Sequence, residues 1–193
     1  MRSRILDRAF FNRPTITVAR DLLGKFLVVK HDDTVEAHVI TETEAYIGAR
    51  DKASHAHRGK TARNLPMFGP PGHWYVYFIY GMYWMLNIVT ERDGNPEAVL
   101  IRGVKGITGP GRLTRRLRIT KQLNGRPATE ATALWIEDRG EDVLPASIRK
   151  GPRVGIDYAG PYWKRRHLRF WIEHENKIPR WIEKPSRDRK GAG

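Results

Sequence analysis

The sequence predicts a single mixed α+β domain: a curved, largely antiparallel sheet with a protruding aromatic hairpin and surrounding helices. Three features lead there. Short alternating or β-branched runs recur along the chain between Gly- and Pro-bearing turns. Only two segments carry clear helix signals, so the helices interrupt a run of strands, with a mixed α/β sheet as the alternative. The 193 residues hold no internal repeat and no long linker, which suits one domain over 1–193 with a core at about 9–183.

The elements follow in chain order. PTITVARDLL (14–23) reads as a helix, with Pro in its first turn and Gly24 just past its end. KFLVVK (25–30) and VEAHVITETEAY (35–46) alternate as strands do; if the second stays extended, Ile40, Glu42, Glu44 and Tyr46 share one face. A loop rich in Gly, Pro, Lys and Arg spans 48–72. WYVYFIYGMYWMLNIVT (74–90) then reads as two strands, with the reversal at Tyr80–Gly81, Gly81 being the one turn residue within it. EAVLIRGV (97–104) is a further strand after a turn at DGNP. GRLTRRLRITKQL (111–123) reads as a basic helix opened by GPG. Short strands are expected at ALWIED (133–138), PRVGI (152–156) and HLRFWIE (167–173), and a polar, basic, frayed tail from Lys184.

Composition narrows the function. Lys and Arg exceed Asp and Glu by 35 to 21, a formal charge of +14, which makes a polyanion the expected partner. A membrane surface is the competing polyanion, but no long amphipathic helix with a basic face is evident, and no apolar run approaches the roughly 20 residues of a membrane span. Nucleic acid is therefore the favoured partner. The absence of cysteine excludes disulfides, thiolate zinc sites and a Cys nucleophile. It suits a reducing cytosol, and the N-terminus lacks the apolar core of a secretory signal. Neither a GxSxG elbow, a P-loop nor a GxGxxG motif is present, so Ser nucleophilic catalysis and nucleotide hydrolysis have no support.

Four constellations remain. Glu42 and Glu44 lie beside Tyr46 in an otherwise basic chain. An acid facing DNA costs binding energy, whereas a carboxylate held in a positive groove beside an aromatic can act as a general base on water; the bland alternative is a pair of solvated strand residues. Trp74, Tyr75, Tyr77, Tyr80, Tyr83 and Trp84 crowd one hairpin. Most suit a β-core, but Tyr80 at the exposed reversal is placed to wedge into a duplex. The span 102–121 carries seven Lys/Arg and no acid, and KRRHLR (164–169) is similarly basic. Either can track phosphates or form a solvated face. His55 and His57 stand two apart in a loop without a convincing third ligand, so no metal site is expected.

Taken together, ITETEAYIG (40–48), SHAHRGKTARNLPMF (54–68), GHWYVYFIYGMYWMLN (72–87), GPGRL (109–113), PRVGI (152–156) and LRFWI (168–172) resemble the alkyladenine, or 3-methyladenine, DNA glycosylase family. ETEAY followed at this spacing by YVYFIYGMY is the most specific part, and the start resembles the compact bacterial form. The resemblance implies a monofunctional glycosylase that flips alkylated or deaminated purines from double-stranded DNA, with no cofactor and no metal. It also implies a monomer in the bacterial cytoplasm, associated with the nucleoid through DNA. Matched residue by residue, it makes Glu44 the base that deprotonates the attacking water and Arg102 the arginine holding the nucleotide beside it. Tyr46 and Tyr77 would sandwich the flipped base, His55 would contact its edge (partly through its backbone amide), and Asn87 would crowd the amine position of guanine. Tyr80 would fill the space left in the duplex. Arg112, Arg115, Lys164 and Arg165 are the expected phosphate contacts. Two rivals differ in class: a nuclease with a divalent ion on Glu42 and Glu44, and a non-enzymatic binding module that uses its tyrosines as a stacking platform.

Overall fold

The structure, a computed structural model, describes residues 3–140 and 143–173. Among these residues apolar alternation becomes ten strands: β1 (Arg4–Ile5), β2 (Phe26–His31), β3 (Thr34–Ile47), β4 (Trp74–Ile79), β5 (Tyr83–Thr90), β6 (Glu97–Val104), β7 (Ile107–Thr108), β8 (Leu134–Asp138), β9 (Ile148–Gly151) and β10 (Arg169–Ile172). Their main order is β1-β8-β2-β3-β6-β5-β4, and each pairing among the described residues is antiparallel. Among the described residues, four short helices accompany them: α1 (Arg8–Phe11), α2 (Thr15–Asp21), α3 (Pro110–Arg116) and α4 (Gly160–Arg165). This is the α+β arrangement that the strand and helix signals predict.

β3 organises the sheet because it is long enough to serve two sets of neighbours. Its first half pairs with β2, its second half with β6, and Glu42–Glu44 pair on the other side with β10. Register shifts interrupt the β3–β6 ladder between Ile40 and Thr43. A bulge moves the alternation by one residue. Ile40 consequently joins Ala45 in the main core, away from Glu44 and Tyr46, rather than sharing their face as uninterrupted extension predicts. Thr43, on the core side, is fully buried and donates its hydroxyl to the carbonyl of Ala19 in α2 at 2.7 Å. Val18, Ala19 and Leu22 of that helix segment pack on the same core, and Gly24, with φ +85°, follows the helix end where the sequence places a stop. Leu113 and Leu117 anchor the α3 segment to the other end of the core. Burying side chains of this size contributes about 1.5–3 kcal/mol each.

Several boundaries differ from the sequence expectation. The basic helix stops at Arg116 instead of 123, because Arg118 turns left-handed (φ +50°); a single 3₁₀ turn at Lys121–Leu123 is all that continues it. PRVGI is not a strand: β9 ends at Gly151, and 152–156 form an irregular segment along the cavity described below. The 48–72 loop contains two 3₁₀ turns, His55–Arg58 and Leu65–Phe68, and α1 and α4 are additions. The expected tail from Lys184 lies outside the described residues.

Candidate active site

One cavity of about 280 Å³ opens where β3, β4, β5 and β6 meet the 53–55 and 154–158 segments. Alternation on β3 sends Glu44 and Tyr46 into it, alternation on β4 and β5 sends Tyr77 and Asn87, and β6 supplies Arg102. His55 enters from the loop and Tyr80 from the hairpin tip. Seven residues singled out by sequence thus line one space, drawn from strands and a loop far apart in the chain.

Glu44 is completely buried. Its Oε2 accepts the Tyr46 hydroxyl at 2.9 Å and its Oε1 the Val154 backbone N–H at 2.8 Å, with Arg102 Nη1 3.4 Å from Oε1. Burial pushes its pKa above the ordinary 4.5; the charge of Arg102, the Val154 N–H and the Tyr46 hydroxyl pull the other way. Arg102 also donates from Nε to Glu42 Oε1 at 3.0 Å, and Arg169 approaches that oxygen at 3.7 Å. An arginine therefore bridges the two carboxylates that the nuclease reading would give to a divalent cation.

Aromatic groups form the walls. Burial raises the Tyr46 hydroxyl well above its ordinary pKa and raises Tyr77 as well, so both rings stay neutral. His55 stacks edge-on against Tyr77, with centroids 4.5 Å apart, and its Nδ1 lies 2.7 Å from the Tyr75 hydroxyl. Burial first, then the charges of Arg63 and Arg58, depress its pKa to about 4, which keeps it neutral near pH 7. Its loop is fastened by buried Asn64, whose Nδ2 donates to the carbonyls of His55 and Gly59 at 3.0 and 2.8 Å. Asn87 is almost fully buried, and its Nδ2 donates to the Tyr75 carbonyl at 3.1 Å. Tyr80 is 75% exposed at the cavity rim.

Two comparisons bear on this geometry. The family model for methylpurine-DNA glycosylase matches residues 9–108 and 105–176, spanning every strand and loop that builds the cavity. The chain belongs to that family. It is accordingly a DNA glycosylase, a hydrolase of N-glycosyl bonds acting in base excision repair. It is 48% identical to a protein of Methanocella arvoryzae over 91% of this chain and 94% of that one. It is 52% identical to one of Wolbachia pipientis subsp. Culex pipiens (81% and 85%) and 40% identical to one of Myxococcus xanthus (90% and 94%). Each is provisionally named a 3-methyladenine DNA glycosylase.

The four basic residues expected at phosphates lie outside this cavity, all on exposed positions. Arg112 and Arg115 project from α3, whose first residue, Pro110, lines the cavity; Arg115 also sits 5.2 Å over the Tyr83 ring. Lys164 and Arg165 close α4, with Lys164 Nζ 2.6 Å from Asp157. Among the described residues, no helix is long and apolar enough to cross a membrane.

Sequence reasoning passed over Asp51, Arg153, Val154 and Tyr158. Asp51 and Arg153 form a fully buried ion pair beside Tyr46. Val154 contributes only its N–H to Glu44, which any residue but proline could supply. The Tyr158 hydroxyl donates to the Ala53 carbonyl at 3.1 Å, joining the two segments at the cavity mouth. One usable signal was present: Asp51 is the single acid in the basic stretch 48–72.

Proposed function

We propose that this cavity receives a damaged purine flipped out of double-stranded DNA, and that Glu44 activates the water that cleaves its glycosidic bond. The observation that carries the reading is a wholly buried carboxylate on the wall of an aromatic cavity. An ionised carboxylate offers roughly four acceptor positions. Tyr46, Val154 and Arg102 occupy three of those on Glu44, leaving capacity on the cavity side for a water. Cleavage passes through an oxocarbenium-like state, so the same negative charge both aims the water and offsets positive charge on the sugar. Arg102 holds Glu44 and the nucleotide in register.

Base choice follows from the walls. The volume sits just below the roughly 300–1,000 Å³ of sites for drug-sized ligands, a scale that suits a single base. Neutral rings of Tyr46 and Tyr77 favour a cationic, alkylated purine by cation–π attraction, and neutral His55 does not repel it. Asn87, immobilised by its bonds to the backbone, crowds the position of the guanine amine. Tyr80 fills the gap in the duplex; flipping costs a few kcal/mol, least where the base is damaged. Arg112, Arg115, Lys164 and Arg165 hold the flanking phosphates. The reading takes the protein as a monomer working on chromosomal DNA in the cytoplasm.

The test is free-base release from a duplex carrying 3-methyladenine, 7-methylguanine, hypoxanthine or ethenoadenine, in excess chelator. Wild-type protein is expected to leave abasic sites. Glu44→Gln should bind the same duplex and lose release by about 10²–10⁴-fold, the usual contribution of a general base. Undiminished release by the variant refutes the assignment, and release that vanishes with chelator would sink the metal-free mechanism.

A further inference from the structure

Tyr46 has a second neighbour that the mechanism above does not use. Arg153, which does not line the cavity, sits with its guanidinium carbon 4.7 Å from the ring centroid. It is 4% exposed and Asp51 is 0%. Arg153 Nη1 donates to Asp51 Oδ2 at 2.5 Å and Nη2 to Oδ1 at 2.8 Å; Nη1 also donates to the carbonyl of Ala45, between Glu44 and Tyr46, at 2.9 Å. Nε has no hydrogen-bond acceptor among the described residues. Asp51 in turn accepts the N–H groups of Ile47 and Ala53 at 3.2 and 3.0 Å, fixing the loop that leads to His55.

A buried ion pair is a weak source of stability, since an apolar pair of similar volume often does as well. This one has an electrostatic consequence that an apolar pair would lack. An arginine keeps its charge wherever it is buried. Alone behind Tyr46 it would oppose a cationic base on the other face of the same ring. Paired in bidentate fashion with Asp51, it presents nearly zero net charge while still fixing the backbone on both sides of Tyr46.

We propose that the Asp51–Arg153 pair is a specificity device: its charge balance behind Tyr46 sets how strongly the cavity prefers cationic over neutral purines. Arg153 is a positioning residue, acting through Tyr46 and through its chain neighbour Val154. The proposal rests on the reading of the cavity as a flipped-base pocket.

Single-turnover release of 7-methylguanine, a cation, and of hypoxanthine, a neutral base, tests it through their ratio. D51N leaves the arginine uncompensated and should lose roughly ten- to thirty-fold more on 7-methylguanine than on hypoxanthine, the effect of one charge acting over about 8 Å at an effective dielectric near 20. D51N/R153Q removes both charges and should bring the ratio back to the wild-type value, even where both rates fall. A purely structural role predicts equal losses on both bases in D51N and no recovery of the ratio, and either result overturns the proposal. Should D51N fail to fold, R153Q decides: the ratio is expected to move toward the cationic base, and an unmoved ratio overturns the proposal. A wild-type protein that releases neither base would instead sink the parent reading of the cavity.

Discussion

At the residue scale, Glu44 gives a prediction whose sign can be worked out. Burial raises its pKa above 4.5, and a general base works only when ionised. The rate of base release should therefore fall as pH falls, with its acid limb above the range of a solvent-exposed glutamate. His55 does not confuse the profile, because its pKa of about 4 lies below that limb. The same shift has a consequence for folding. A carboxylate with a raised folded-state pKa contributes stability fully below its unfolded value of 4.5, and loses it as pH rises through the folded value. Melting temperatures of wild type and Glu44→Gln should thus shift in favour of wild type as pH drops from neutral toward 4.5; a constant difference would contradict the shift. Glu44 was legible in the sequence because an acid within a basic, aromatic context is conspicuous. Arg153 was not, since one arginine among many looks like surface charge until Asp51, 102 positions away in the chain, is folded against it.

The hairpin shows what an element adds. Aromatic and β-branched content with one turn residue, Gly81, divided 74–90 into two strands, and in the first of them Tyr75 and Tyr77 face the cavity while Trp74 and Val76 face the core. The tip carries Tyr80 and Gly81 at φ +55° and +67°, and the Met82 N–H closes on the Ile79 carbonyl at 3.2 Å. Positive φ at both positions is the signature of a tight hairpin turn, for which Asn-Gly is the favoured pair. A tyrosine held there costs about 1–2 kcal/mol in local strain, and strain of this kind collects at functional positions. Tyr80→Gly should accordingly leave the melting temperature unchanged or higher, yet weaken capture of a lesion-bearing duplex, measured as the stability of the flipped state by base-analogue fluorescence. A glycine variant that captures as well as wild type would remove Tyr80 as the wedge. Other boundaries were less legible for local reasons. The left-handed turn at Arg118 leaves no mark in the periodicity of 111–123, and PRVGI has the β-branched composition of a strand but spends its backbone on Glu44 instead of a ladder.

For the molecule as a whole, the excess of +14 fixes the class of partner but not the residues that meet it. Each phosphate neutralised on duplex DNA contributes about −0.9 to the slope of log K against log salt. Replacing Arg112 and Arg115 together should make the slope shallower by about two if both reach phosphate. Lys164 differs, because Asp157 lies 2.6 Å from its ammonium and both groups are exposed. Such a pair is weak in water, yet it must be given up or shared when a phosphate arrives. Lys164→Ala should therefore cost less affinity than Arg112→Ala, while Asp157→Asn frees the lysine, tightens binding and steepens the slope by up to about one. Titrations of an undamaged duplex at several salt concentrations separate these outcomes. An unchanged slope in Asp157→Asn would place Lys164 away from the DNA backbone and leave the α3 arginines and Arg165 as the phosphate-tracking face.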